Sequence, residues 1–309
     1  MRTVFLGTPQ FAVPALNALV ANGFDLAAVI TQPDRPKGRG SVLTESPVKL
    51  AAREHGLKVY QPERIRRPEN VELLRGFGAD VMVVVGYGQI IPQAVIDLPK
   101  YGILNVHASL LPKYRGAAPI QWAIANGETA TGVTIMKIDA GLDTGDMLLK
   151  AAAPIGPDET APELSERLAE VGATLLIGAL QQIETLKPEP QDDTEATLAP
   201  VLKKEDGLID WSRPARQIYN RLRGFTPWPG AFTKFRGQQL TIMRARIESG
   251  LKVPAGMLHS EKHRLYAGCG EGTLLELLEL RPEGKRSMPA GAFLNGYQPK
   301  QGEAMGESL

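Results

Sequence analysis

One cysteine in 309 residues, Cys269, excludes an internal disulfide and any zinc site built on cysteine pairs. Histidine is nearly as scarce: the four stand far apart in the sequence, at 55, 107, 259 and 263. No apolar run approaches the roughly 18 residues of a membrane-spanning helix. The chain moves from Arg2 straight into an apolar strand pattern, Val4–Leu6, and a Gly7-Thr8-Pro9 turn, leaving no room for the apolar core of a secretory signal. Neither a P-loop nor a G-x-S-x-G elbow occurs. These absences predict a soluble cytosolic protein.

What is present is ordinary globular stock, 43% apolar and 22% charged, with length for two domains. The net charge of +1 hides an asymmetry. Residues 1–206 carry 20 Lys and Arg against 25 Asp and Glu, whereas 207–264 carry 11 against 3. A bias of that kind is the footprint of a polyanion-binding face, or else a solvated basic surface.

The first two-thirds alternate between strand and helix patterns. Val81–Val85 is a continuous apolar run, which suits a strand buried on both faces of a parallel sheet, and Ile103–Val106 repeats that signal around Asn105. Thr131–Ile138 and Met147–Ala151 follow as further strands, and Glu163–Ile183 as a long helix with Thr160 and Glu163 at capping-box spacing. Residues 32–46, rich in Pro, Gly and charge, read as a long loop. After a Pro- and charge-rich stretch, short strand-like runs punctuated by Gly and Pro suggest a small all-β barrel. The expected organisation is therefore α/β: a Rossmann-like open, mostly parallel sheet over 1–188, a linker over 189–206, and an OB-like barrel over 207–309.

Three motifs stand at the ends of predicted strands, where open α/β sheets bind ligands. Gly86-Tyr87-Gly88 is a weak dinucleotide fingerprint or simply a turn. Asn105-Val106-His107 sets an amide and an imidazole on one side of a strand, a sensible apparatus for a carbonyl that develops negative charge, or a pair of polar residues closing a strand end. Asp139–Asp146 packs three Asp and two Gly into eight residues, either a tight turn exposing a carboxylate or a divalent-metal loop without EF-hand spacing.

NVHASLLPKYRGAAPIQWAI followed by GVTIMKIDAGLDTGDMLLK resembles the signature pair of the folate-dependent formyltransferase superfamily. GTPQFAVPAL, TQPDRPKGRG…SPVKLAA and DWS…IYNRLRGFTPWPGAF are similar to segments of its branch that acts on methionyl initiator tRNA, and the resemblance runs nearly end to end. It implies transfer of a formyl group from 10-formyltetrahydrofolate to the methionine α-amino group, by a monomer, with no metal. It also implies a catalytic trio of Asn105, His107 and Asp143. Ser109, Leu110, Leu111 and Pro112 match the folate-binding stretch, while Tyr87, Gly88, Ile90 and Ile91 with Asp139, Ala140, Gly141 and Leu142 are implied to line the pterin slot. The loop charges Arg35, Lys37 and Arg39 would meet the acceptor end. A tRNA-tracking surface would draw on Arg213, Arg216, Arg221, Arg223, Lys234, Arg236, Arg244 and Arg246. Where some relatives have two lysines after GRG, this chain has Ser41-Val42; where relatives often have Gly, it has Ala108.

Overall fold

The computed structural model describes residues 1–37 and 42–306. It divides into two compact units. The first comprises 1–119, 130–154 and 164–200; the second comprises 120–129, 155–163 and 201–309.

The chain opens with β1 (Arg2–Gly7), α1 (Val13–Ala21) and β2 (Asp25–Ile30), followed by β3 (Arg35–Lys37) and β4 (Val42–Thr44). Next come α2 (Pro47–Glu54), β5 (Val59–Tyr60), α3 (Pro68–Gly76), β6 (Val81–Val85), α4 (Gln93–Ile96) and β7 (Ile103–His107). Then follow α5 (Pro119–Ala125), β8 (Ala130–Lys137), β9 (Met147–Pro154) and α6 (Ala161–Gln181). Among the described residues, seven strands form one sheet in the order β5-β2-β1-β6-β7-β8-β9. Pairing is parallel as far as β7 and antiparallel through β8 and β9. All five residues of β6 are buried, as its continuous Val run requires of a strand covered on both faces. Val4, Leu6, Ile30, Met82, Val84 and Ile103 share one core with Leu74 of α3.

The strand order reverses between β1 and β6, the switch point at which open α/β sheets take ligands in a crevice beyond the carboxyl ends of the strands. The loops there are tied together: the Tyr87 carbonyl accepts hydrogen bonds from Thr8 Oγ1 (3.0 Å) and Gln32 Nε2 (3.2 Å).

Residues 32–46 are not a plain loop. Arg35–Lys37 and Val42–Thr44 pair as an antiparallel ribbon, with Arg35 opposite Thr44. Its base is pinned by Lys49, whose ammonium contacts Asp34 (2.5 Å) and Glu45 (3.0 Å). Three-residue strands are too short to show a period in sequence, and the anchoring carboxylates are recruited from both sides of the ribbon by a helix.

The second unit holds α7 (Ala215–Gly224), β10 (Ala231–Phe235), β11 (Gln238–Glu248), β12 (Leu258–Glu261), β13 (Arg264–Gly268), β14 (Leu274–Pro282), β15 (Met288–Pro289) and α8 (Ala290–Tyr297). The strands form a barrel-like antiparallel sheet ordered β10-β11-β14-β13-β12, with β15 added to β14. Burial alternates along β10, as Ala231, Thr233 and Phe235 face a core containing Trp211, Leu240, Leu277 and Phe293. Trp211 Nε1 donates to Thr233 Oγ1 at 3.0 Å. The two helices add to the expected strands; in α7 the apolar stripe of Ile218 and Leu222 is sparse among arginines, which hides the helical period. Two stretches from earlier in the chain join this unit: Trp122 packs edge-on against Phe225 with ring centres 5.2 Å apart.

Among the described residues, no helix is long and apolar enough to cross a membrane.

Candidate active site

β7 ends at His107, and pairing with β8 sets Asn105 opposite Met136 and His107 opposite Thr134. The imidazole is buried, 5% exposed. Its Nε2 lies 2.9 Å from the Tyr114 carbonyl oxygen. A carbonyl can only accept, so Nε2 carries the hydrogen. Nδ1 is then the nitrogen left to gain or lose a proton, and it faces Asp143 Oδ2 at 3.6 Å. The other carboxylate oxygen, Oδ1, lies 3.4 Å from Asn105 Nδ2. The three side chains thus come together, with the Asp143 carboxylate between the other two.

Asp143 sits in the left-handed region, at φ 52°. Asp tolerates this conformation better than most residues, and here it turns the carboxylate inward. The carboxylate is fixed from below by the Gly116 N–H, which donates to Oδ2 at 2.9 Å. Gly116 itself cannot carry a side chain: its φ is +122°, and a Cβ there would lie 2.6 Å from the Ala199 carbonyl oxygen.

Two residues in this network were not anticipated. Gln191, in the stretch expected to be a linker, donates through Nε2 to the carbonyls of Asp143 and Gly145, each at 2.8 Å. Arg115 holds Gln191 Oε1 through Nε (2.9 Å) and Asp193 through Nη2 (2.8 Å). The backbone of the same stretch docks on the turn after β7: Arg115 N donates to Thr197 O (2.8 Å), and Ala199 N donates back to Arg115 O (2.7 Å). Nothing in the local composition signals this docking, because its partners lie about 80 residues earlier in the sequence.

The residues expected at the folate site differ in environment. Ser109 and Leu111 are buried and build the turn: Ser109 Oγ donates to Lys113 O (2.6 Å), and Thr134 Oγ1 accepts from Leu111 N (3.1 Å). Leu110 and Pro112 are partly exposed beside them. Ile90 and Leu142 are 90% and 63% exposed, apolar side chains offered to whatever the crevice takes in, with Gly88, Ala140 and Gly141 exposed in the same loops and Ile91 half-buried. Asp139 closes its own loop by accepting from Gly141 N (3.0 Å) and Thr144 Oγ1 (2.8 Å). The Tyr87 ring is 1% exposed and belongs to the sheet core, so the slot-lining part expected of this residue falls to its backbone. Burial pushes its phenol pKa up, and the hydroxyl has no hydrogen-bond partner among the described residues.

Comparison with known proteins decides the family. The formyl transferase model matches residues 1–180, and the formyl transferase C-terminal domain model matches residues 201–298. The chain belongs to the formyl transferase family. A methionyl-tRNA formyltransferase of Solibacter usitatus (strain Ellin6076) is 60% identical over 309 residues, covering 99% of each chain. One of Koribacter versatilis (strain Ellin345) is 57% identical over 309 residues, again covering 99% of each. Among solved structures, a methionyl-tRNA formyltransferase from Clostridium thermocellum aligns with TM-score 0.59 at 21% identity, over 81% of this chain and 95% of that one. An N-formyltransferase from Helicobacter canadensis, in complex with folinic acid and dTDP-3-aminofucose, aligns with TM-score 0.67 at 20% identity, over 89% and 98%. At these identities the structural likeness speaks for the shared fold.

The basic residues separate by environment. Arg223 is 5% exposed and donates to the carbonyls of Gly156 (3.0 Å) and Glu159 (2.9 Å) and to Asn220 Oδ1 (3.2 Å). Its guanidinium is taken up by these backbone carbonyls. Arg221 is half-buried over the Phe225 ring, with its guanidinium 4.9 Å from the centre, and donates to Asp206 O. Burial lowers the pKa of both guanidinium groups. Arg236 is clamped by Glu303, Arg246 by Glu276 and Glu248, and Arg213 by Asp210. Arg216, Lys234 and Arg244 are exposed, and Arg244 and Arg246 lie on the outer face of β11 on either side of buried Ala245. In the ribbon, Arg35 is exposed on β3 and Lys37 ends that strand; Arg39 lies outside the described residues.

Proposed function

We propose that the chain transfers the formyl group of 10-formyltetrahydrofolate to the α-amino group of methionyl initiator tRNA. The observation that carries this is the convergence of Asn105, His107 and Asp143 at a strand end, in a chain 60% identical to a methionyl-tRNA formyltransferase along its whole length. In this reading the amine nitrogen attacks the formyl carbon, and a tetrahedral intermediate forms. Its oxyanion is met by the Asn105 amide, whose second N–H is free to turn outward from Asp143. The proton lost by the amine passes to His107 Nδ1, which Asp143 holds in line. Collapse then breaks the bond to the folate nitrogen, which leaves with that proton.

The crevice suits folate. Ile90 and Leu142 offer exposed apolar faces to a flat ring, and the surrounding loops present backbone amides and carbonyls that can read a pterin edge. Residues 1–188 would carry the chemistry, 189–206 would brace the Asp143 loop as well as connect, and 207–309 would offer a surface that grips the tRNA body through exposed cations such as Arg216, Lys234 and Arg244, with Arg35 and Lys37 near the acceptor end. The protein would act as a monomer in the cytoplasm.

An acceptor panel with labelled 10-formyltetrahydrofolate tests the reading. Methionyl initiator tRNA should be formylated and uncharged tRNA, an amino sugar nucleotide and water should not. Preference for the sugar nucleotide, or release of formate alone, would overturn it.

A further inference from the structure

We infer that Gln191 is a positioning residue for the transfer step, acting through Asp143; the inference rests on the catalytic reading of the trio given above. A left-handed Asp on an open loop would exchange with ordinary backbone conformations unless something over-determines it. Here the loop's two inward carbonyls, those of Asp143 and Gly145, are both bound by one side-chain amide, at 2.8 Å each. No residue other than Gln or Asn supplies two N–H donors from one planar nitrogen alongside an acceptor oxygen. That acceptor is occupied by Arg115, and Arg115 is in turn held by Asp193. The amide is therefore fixed in one orientation, with its nitrogen toward the loop, by a chain of groups that itself touches no reacting atom.

The space around the loop leaves no slack. A Cβ on Gly145 would lie 1.9 Å from the Lys137 carbonyl oxygen, so this end of the loop is pressed onto the end of β8. With Gly145 seated there and Gly116 N–H bound to Oδ2, Gln191 supplies the third fixed point for Asp143. Removing it frees the peptide that sets the direction of the carboxylate, and with it the 3.6 Å approach to His107 Nδ1. A misplacement on the order of 1 Å in a catalytic constellation costs on the order of 10²-fold in rate.

The test uses the full-length protein with Gln191→Ala and Gln191→Glu; the second keeps size and the Arg115 partnership while replacing both donors with a charged acceptor oxygen that faces the Asp143 and Gly145 carbonyls. Single-turnover transfer at saturating substrates should fall by roughly 10–100-fold in both, with dissociation constants for folate and for methionyl-tRNA within about twofold of wild type. On an Asp143→Asn background the same substitutions should add little further loss, because groups acting as a unit are non-additive. A rate within twofold of wild type in Gln191→Glu, or an equal loss on the Asp143→Asn background, would overturn the inference while leaving the trio standing. Full rates in Asp143→Asn and His107→Ala would instead sink the catalytic reading and this inference with it.

Discussion

The carboxylate of Asp143 accepts a hydrogen bond from the Gly116 N–H at 2.9 Å while facing His107 Nδ1 at 3.6 Å. One oxygen, Oδ2, serves both neighbours, so the backbone of the turn after β7 sets the position from which Asp143 addresses the imidazole. Because the carboxylate comes from the loop after β8 and the imidazole from the end of β7, their meeting depends on the register of two antiparallel strands.

Substituting the trio should separate chemistry from folding. His107→Ala and Asp143→Asn should each lower the single-turnover rate by roughly 10²–10⁴-fold, the range for acid–base groups. The double variant should be far less damaged than the product of the singles. Urea midpoints should stay close to that of wild type for Asp143→Asn, whose shape is unchanged. Near-normal single-turnover rates in either single variant would remove the trio from the mechanism.

Gly116 offers a test of the backbone's part. Gly116→Ala forces a side chain into left-handed backbone and against the Ala199 carbonyl, so the neighbouring segment around Ala199 must give way. The expected loss is about 2 kcal/mol of stability, together with a lower transfer rate as the N–H leaves Oδ2. Gly78→Ala is the control: its φ is +59° but nothing lies within 4 Å, so only about 1 kcal/mol should be lost and the rate kept. Equal behaviour of the two variants in urea titration and single-turnover assays would refute the packing argument.

The two classes of arginine in the second unit should respond oppositely. Arg223→Met leaves the Gly156 and Glu159 carbonyls without their charged donor and should cost about 3 kcal/mol, seen as a lower thermal midpoint. Arg244→Ala should leave that midpoint unchanged. If Arg244 contacts a phosphate, the slope of log affinity for tRNA against log salt should shrink by about 1. A stable Arg223→Met protein with a reduced salt slope would reverse the assignment.

Acid stability should depend on Glu276. Hydrogen bonds from Arg264 and Arg246, with their positive charges, hold this buried carboxylate below its ordinary value of 4.5. A carboxylate lowered in the folded state stabilises the fold above its unfolded pKa, and that contribution is lost as pH falls through the folded pKa. Unfolding free energy should therefore drop below pH 4.5, and Glu276→Gln should flatten that part of the acid limb. An unchanged slope in the variant would assign the loss to other carboxylates.

Much of this protein is legible along the chain. The continuous apolar run Val81–Val85 announced β6, because burial on both faces of a parallel sheet leaves no polar position to alternate, and Ile103–Val106 repeated that signal around Asn105 to announce β7. Asn105 and His107 were visible together because two residues of separation on a strand places side chains on one side. Distant relationships were not legible. Asp143 could be chosen from three Asp in one loop only by resemblance, since nothing local shows that φ 52° and the Gly116 N–H turn that one inward. Arg223 reads like its neighbours in a basic stretch, yet Gly156 and Glu159, more than 60 residues earlier, bury it. Gln191 stands in what composition marks as a linker, and it became part of the site because the Asp143 loop folds back within its reach. Periodicity and composition report what a residue does along its own strand or helix; which buried donors meet which carbonyls is settled by chain segments packed together across long sequence separations.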